Sequence, residues 1–159
     1  MNNKMKEKYR KIIRGIMIIL AALLLLIALV IPIVNNAIAL GVERELKTLP
    51  LPADTRCVES ISIAAKVSGN GNGMQYYGAL LLESELSLEK LQAHYAAYAG
   101  DRMNFAIVKP QEGQQLPGVD HPYTFTSVLE EGKAYYGVYG YDYSEKVLQG
   151  WLNMDIRGH

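Results

Sequence analysis

The 159-residue sequence predicts an α+β protein. One N-terminal transmembrane helix precedes a small, mostly antiparallel sheet with one helix packed on a face, in the order β-β-α-β-β-β. Three observations carry this expectation. Ile16–Val34 is a run of nineteen residues without a polar side chain, which at about 1.5 Å per residue is the length of one hydrocarbon crossing. Beyond Pro52, short segments alternate apolar and polar residues and are separated by Gly, Pro and Asn. Among them, Leu88–Ala99 alone repeats its apolar residues at helical spacing.

The apolar run holds six Leu, six Ile and two Val. At roughly 0.3–0.6 kcal/mol each, these favour membrane insertion by about 4–8 kcal/mol. Charge supplies the orientation. Residues 1–34 carry six basic side chains and one acid, a balance of +5, whereas residues 35–159 carry ten basic and fifteen acidic, a balance of −5. The formal net charge of zero is therefore an average over two unlike parts. Lys4, Lys6, Lys8, Arg10, Lys11 and Arg14 precede the span, so the positive-inside rule places the N-terminus in the cytoplasm and the remainder outside.

The expected organisation is a cytoplasmic basic tail (1–14), a transmembrane helix (15–34), a juxtamembrane stalk (35–52) and an extracytoplasmic domain (53–159). Ala37-Ile38-Ala39 fits a signal peptidase site, so secretion after cleavage near Ala39 is the alternative. The apolar run exceeds the usual signal-peptide core, which favours retention as an anchor. Cys57 lies too far beyond the run for lipoprotein attachment. Gly15-Ile16 lacks the acidic residue that follows a pilin-type cleavage point. Helix should continue past the span until Pro50 and Pro52 end it, with Pro32 a possible bend.

Arg56–Val67 reads as the first strand, with Cys57, Ile61, Ile63, Ala65 and Val67 on one face, Ser60, Ser62 and Lys66 on the other, and Glu59 as an exception; a helix is the alternative. Gly69-Asn70-Gly71-Asn72-Gly73 contains two Asn-Gly pairs and reads as a hairpin turn. A phosphate-cradling loop would need a following Lys-Ser/Thr pair and a helix, and neither follows. Met74–Glu83 is apolar on both faces, as suits a central strand. Ser87 caps the helix Leu88–Ala99, whose stripe is Leu88, Leu91, Tyr95 and Tyr98, and Gly100 stops it. Strands are then expected at Asn104–Lys109, Tyr123–Leu129, Ala134–Tyr143 and Trp151–Arg157. Between the first two lies an eleven-residue polar loop, Gln111–His121, and Ser144–Gln149 is a helical turn or loop.

Candidate chemistry is sparse. If Ala134–Tyr143 is a regular strand, Tyr135, Tyr139, Tyr141 and Tyr143 share one face, which could bind a protein, peptide or neutral glycan through amphipathic rings. The alternative is cross-strand packing. His121 follows Asp120, and Arg157 lies near the chain end; together with the tyrosines they are the candidate binding residues. No two of His94, His121 and His159 have metal-ligand spacing, and no Cys/His cluster occurs, so no metal, cofactor or catalytic residue is expected. Cys57 reads as a buried structural thiol. The −5 balance outside argues against a nucleic-acid partner.

Two patches, Gly69–Gly78 (GNGNGMQYYG) and Asp155-Ile156-Arg157-Gly158-His159, resemble those of a group of small, uncharacterised single-span bacterial membrane proteins. These share a basic start, one span and a Pro-ended stalk. The resemblance implies that both patches matter to the domain, and it transfers no activity. The function expected is a membrane-anchored extracytoplasmic binding or interaction module. An accessory subunit of a membrane complex is the alternative, and a cell-envelope hydrolase using His94 or His121 with a carboxylate is a more distant one.

Overall fold

The computed structural model describes residues 3–67, 74–98, 114–120 and 123–142, and the backbone of residues 103–108. Its elements are α1 (Asn3–Thr48), β1 (Thr55–Ala65), β2 (Gln75–Ser84), α2 (Leu88–Tyr95), β3 (Met103–Val108) and β4 (Tyr135–Asp142). The four strands form one antiparallel sheet in the order β1-β2-β4-β3. The α+β expectation therefore holds, with a different strand count. Tyr123–Leu129 forms no strand, and an isolated bridge pairs its Thr124 with Gln115. The expected strand Trp151–Arg157, the turn Gly69–Gly73, Gly100 and Ser144–Gln149 lie outside the described residues.

Helix α1 runs unbroken for 46 residues and contains Pro32. Its middle run, Ile16–Val34, has no polar side chain to compete for the backbone and propagates helix readily, and Pro50 prevents its continuation. Between Ile16 and Ile33 its large apolar side chains are 40–69 % exposed, apart from the covered Ile31. A soluble core helix would hide them. A helix of this length and composition is compatible with a single membrane crossing.

From Ile31 onward α1 changes character. Ile31, Asn35, Ala39, Val42, Glu43 and Leu46 recur at three- and four-residue spacing and are all buried. They pack on one face of the sheet: Ala39 and Val42 meet Ala64, Met74 and Tyr76, while Leu46 meets Leu80, Leu82, Tyr136 and Val138. Residues 35–48, expected as a stalk, are thus a packed element of the domain. The closest approach is at Gly78, where a Cβ would lie 2.7 Å from the Glu43 backbone nitrogen. Only the missing side chain lets the helix sit so low on β2.

β2 is buried on both faces, as expected of a central strand. Its even-numbered residues face α1, and Tyr77, Ala79 and Leu81 face the opposite side. There the irregular segment 114–129 covers the sheet with Leu116, Val119 and Phe125. Backbone bonds brace this cover, from Leu116 N to Tyr123 O at 2.9 Å, from Phe125 N to Gln114 O at 3.0 Å, and from Asp120 N to Val67 O at 2.8 Å. α2 is shorter than the expected Leu88–Ala99; Ser87 Oγ caps it by accepting from Lys90 N. Leu91 and Tyr95 are buried beside Leu46, but Tyr98 is exposed.

Candidate functional site

β1 carries a bulge, because Cys57 pairs with Leu82 and Glu59 with Leu81, leaving Val58 opposite no residue. The bulge breaks the simple alternation. Val58 joins Ile61 and Ile63 over the covered face. Cys57, expected among them as a buried thiol, turns away, is exposed, and donates to Glu59 O at 3.4 Å. Desolvation of its sulfur still pushes the thiol pKa up. Glu59 now explains its exceptional place in the pattern. Its carboxylate accepts from Thr126 N at 2.9 Å, Ser127 N at 2.7 Å and Thr126 Oγ1 at 2.9 Å, clasping the 114–129 cover to β1. Burial acts to raise the Glu59 pKa, but the bonds from Thr126 and Ser127 outweigh it and hold the group below the usual carboxylate range.

The tyrosine face is real, but it is covered. Tyr135, Tyr139 and Tyr141 project to the side covered by segment 114–129, where Tyr135 and Tyr141 are buried and Tyr139 is partly buried. Tyr77 on β2 completes the cluster, with ring centroids 5.2 Å from Tyr141 and 6.0 Å from Tyr139. Tyr77 Oη donates to Pro117 O at 2.9 Å, and Tyr141 Oη donates to Gly118 O. Gly118 has φ +73°, and a Cβ there would overlap the Tyr139 ring. These rings pack against protein with their hydroxyls engaged, so cross-strand packing replaces the ligand-surface reading for this stretch. Tyr143, His121 and Arg157 lie outside the described residues. His94 Nε2 donates to Pro50 O at 3.0 Å, tying α2 to the chain that leaves α1.

At the end of the sheet away from the apolar half of α1, a recess of about 540 Å³ opens to solvent. Its lining includes Asp54, Arg56, Glu83, Ser84 and Lys133. The hairpin register sets Arg56 opposite Glu83, and Arg56 Nη2 lies 2.5 Å from Glu83 Oε2. Lys133 Nζ, delivered by the Glu130–Lys133 turn, lies 3.1 Å from Glu83 Oε1 and 2.8 Å from Glu130 Oε2. Tyr135 Oη accepts from Glu130 N at 3.0 Å and reaches Glu83 Oε2 at 3.5 Å. Ser84 Oγ and Thr55 Oγ1 share a hydrogen bond of 2.6 Å, and Leu86 N donates to Ser84 Oγ at 3.2 Å.

Arg56 first, then Lys133, holds Glu83 below the usual carboxylate range. Glu83 in turn raises Arg56, and Glu130, followed by Glu83, raises Lys133. A carboxylate so stabilised is a poor proton acceptor near neutral pH, whereas a fixed lattice of donors and acceptors suits polar recognition. The described residues contain no group of His, Cys, Asp and Glu that could hold a metal ion.

Sequence reasoning did not assemble this recess. The signal available was the β1–β2 hairpin, since pairing that sets Ala65 opposite Gln75 carries Arg56 to the level of Glu83. Comparison of the chain with known protein families, with curated proteins and with solved structures finds no match.

Proposed function

We propose that this chain is a single-pass membrane protein whose α+β domain, outside the cytoplasm, is a binding module that offers the Arg56–Glu83–Lys133 recess to a protein or peptide. The carrying observation is placement: the recess occupies the end of the sheet farthest from the apolar half of α1. A membrane-held domain presents that end to whatever approaches. The mixed lining of two cations and the carboxylates of Asp54, Glu83 and Glu85 suits a polar peptide surface better than an uncharged sugar. The basic flank before the span supports a cytoplasmic N-terminus. Burial of Ala39 on the sheet supports retention of the segment, because cleavage there would remove Ile31, Asn35 and Ala39 from the packed face.

The test is photo-crosslinking in native membranes, with the probe at exposed Glu85 on the rim of the recess. A discrete adduct is expected, reduced at least tenfold by Arg56→Glu and by Lys133→Glu in chains whose tyrosine circular dichroism is unchanged. Adducts that survive both reversals undiminished would show that the recess is not the binding surface.

A further inference from the structure

We infer that the end of the sheet opposite the recess seats directly on phospholipid headgroups, so that the domain stands on the bilayer without a flexible linker and holds the recess at a fixed height. This rests on the single-span reading above. The apolar run ends at Val34, yet the domain already covers α1 before that point. Ile31 is 3 % exposed and Asn35 1 %, while Val30 is 40 % and Ile33 66 % exposed on the other sides of the helix. Helix α1 passes from one environment to the other with no interruption.

The heights follow from helix geometry. Asn35 lies about 1.5 Å beyond Val34 and Ala39 about 7 Å beyond it. The headgroup layer on each side of the hydrocarbon is about 5–8 Å thick. Tyr76 Oη donates to Asn35 Oδ1 at 3.0 Å, which fixes the start of β2 at this level. Met74, Ala64 and Tyr76 pack with Ala39 in the same layer. Lys66, half-buried just after β1, projects from the same end, and Asp142 pairs with Tyr76 across the strands. With one cation and one carboxylate described there, continuity with the span, not net charge, dictates the seating. Zwitterionic lipid should therefore suffice.

β1 and β2 then carry the recess upward. From Gln75 to Ser84 is ten residues, and allowing for tilt this raises Glu83 and Lys133 roughly 20–30 Å above the headgroups.

The full chain, with Cys57→Ser, is placed in phosphatidylcholine nanodiscs containing a headgroup-chelated gadolinium lipid. Nitroxides are attached singly through Leu24→Cys, Lys66→Cys and Lys133→Cys. Relaxation enhancement should be at least tenfold greater at position 66 than at position 133. Glu131→Cys repeats the distal measurement without touching the Glu83 lattice. At position 24 the label should be accessible to oxygen and shielded from a water-soluble nickel complex. Equal enhancement at 66 and at both distal positions, with 24 shielded, overturns the seating alone. A nickel-accessible label at 24 overturns the span and the seating together.

Discussion

Replacing Gly78 with alanine should lift α1 from the sheet. The new Cβ would lie 2.7 Å from the Glu43 backbone nitrogen and 3.0 Å from the Glu43 Cα and the Val42 carbonyl carbon. All three are backbone atoms of a helix pinned along Ile31–Leu46, so no side chain can swing aside. Ordinary contact begins at 3.4 Å, and α1 must retreat by about 0.4–0.7 Å. A gap of that size forfeits roughly a quarter to a half of the dispersion energy of each contact that it opens, here those of Val42 and Leu46 with β2. Overpacking costs about 1–3 kcal/mol, offset by about 0.5–1 kcal/mol from the entropy that glycine loses on folding. The net loss is about 1–2 kcal/mol, which for a domain of this size lowers Tm by about 5–10 °C.

Near-ultraviolet circular dichroism of the full chain in detergent reads this change, because the buried tyrosines report the domain whereas the far-ultraviolet signal is dominated by α1. Gly41→Ala is the matched control. It lies on the same helix with nothing within 4 Å of its Cβ, and should raise stability by about 0.5–1 kcal/mol. A Gly78→Ala protein that unfolds at or above the wild-type temperature would refute the close packing of α1 on β2.

Glu59→Gln should cost about 1–3 kcal/mol, since it removes the charge that Thr126 and Ser127 bind. The folded pKa of Glu59 is depressed below 4.5, so its contribution is present at neutral pH and is lost as pH falls through the folded pKa. Denaturant midpoints measured against pH should show the gap between wild type and variant closing below about pH 4; a constant gap contradicts the assignment. Gly118→Ala should lose about 2–3 kcal/mol, because φ is +73° and the Tyr139 ring fills the space. Adding Tyr139→Ala should return part of that loss, with a coupling of about 0.5–3 kcal/mol in a double-mutant cycle; strict additivity would rule out the contact.

The long apolar run, the central strand and the Ser87 cap could all be read from the sequence, because each is a local pattern with one physical meaning. Three features could not. The bulge at Val58 shifts the strand phase by one residue, so a strict alternation assigns Cys57 to the wrong face. The segment 114–129 covers the sheet without regular structure, and its anchors Leu116, Val119 and Phe125 follow no period. Tyr135, Tyr139 and Tyr141 share one face of β4, as alternation predicts, but periodicity cannot say what lies over a face. The recess was missed for a related reason, since Arg56, Glu83 and Lys133 come from three separate stretches that meet only through strand register.

The two polar residues of the α1 stripe bear on how the seam works. Glu43 is 7 % exposed, with Lys47 Nζ and Ser60 Oγ each 2.6 Å from its Oε1. Burial alone would raise its pKa, and the bonds from Lys47, Ser60 and Ser62 more than reverse this. Asn35 accepts from Tyr76 through Oδ1, while its Nδ2 has no hydrogen-bond partner among the described residues. An all-apolar stripe would pack as strongly at several rotations of the helix, since dispersion is not directional. The Glu43 carboxylate and Asn35 Oδ1 meet these partners at one rotation only, because Ser60 and Tyr76 stand at fixed places on β1 and β2. An unpaired polar group at any other setting costs roughly 1–3 kcal/mol. The pair therefore sets the azimuth of α1 against the sheet. Through a helix with no break at Val34, it also sets how the apolar half points relative to the recess.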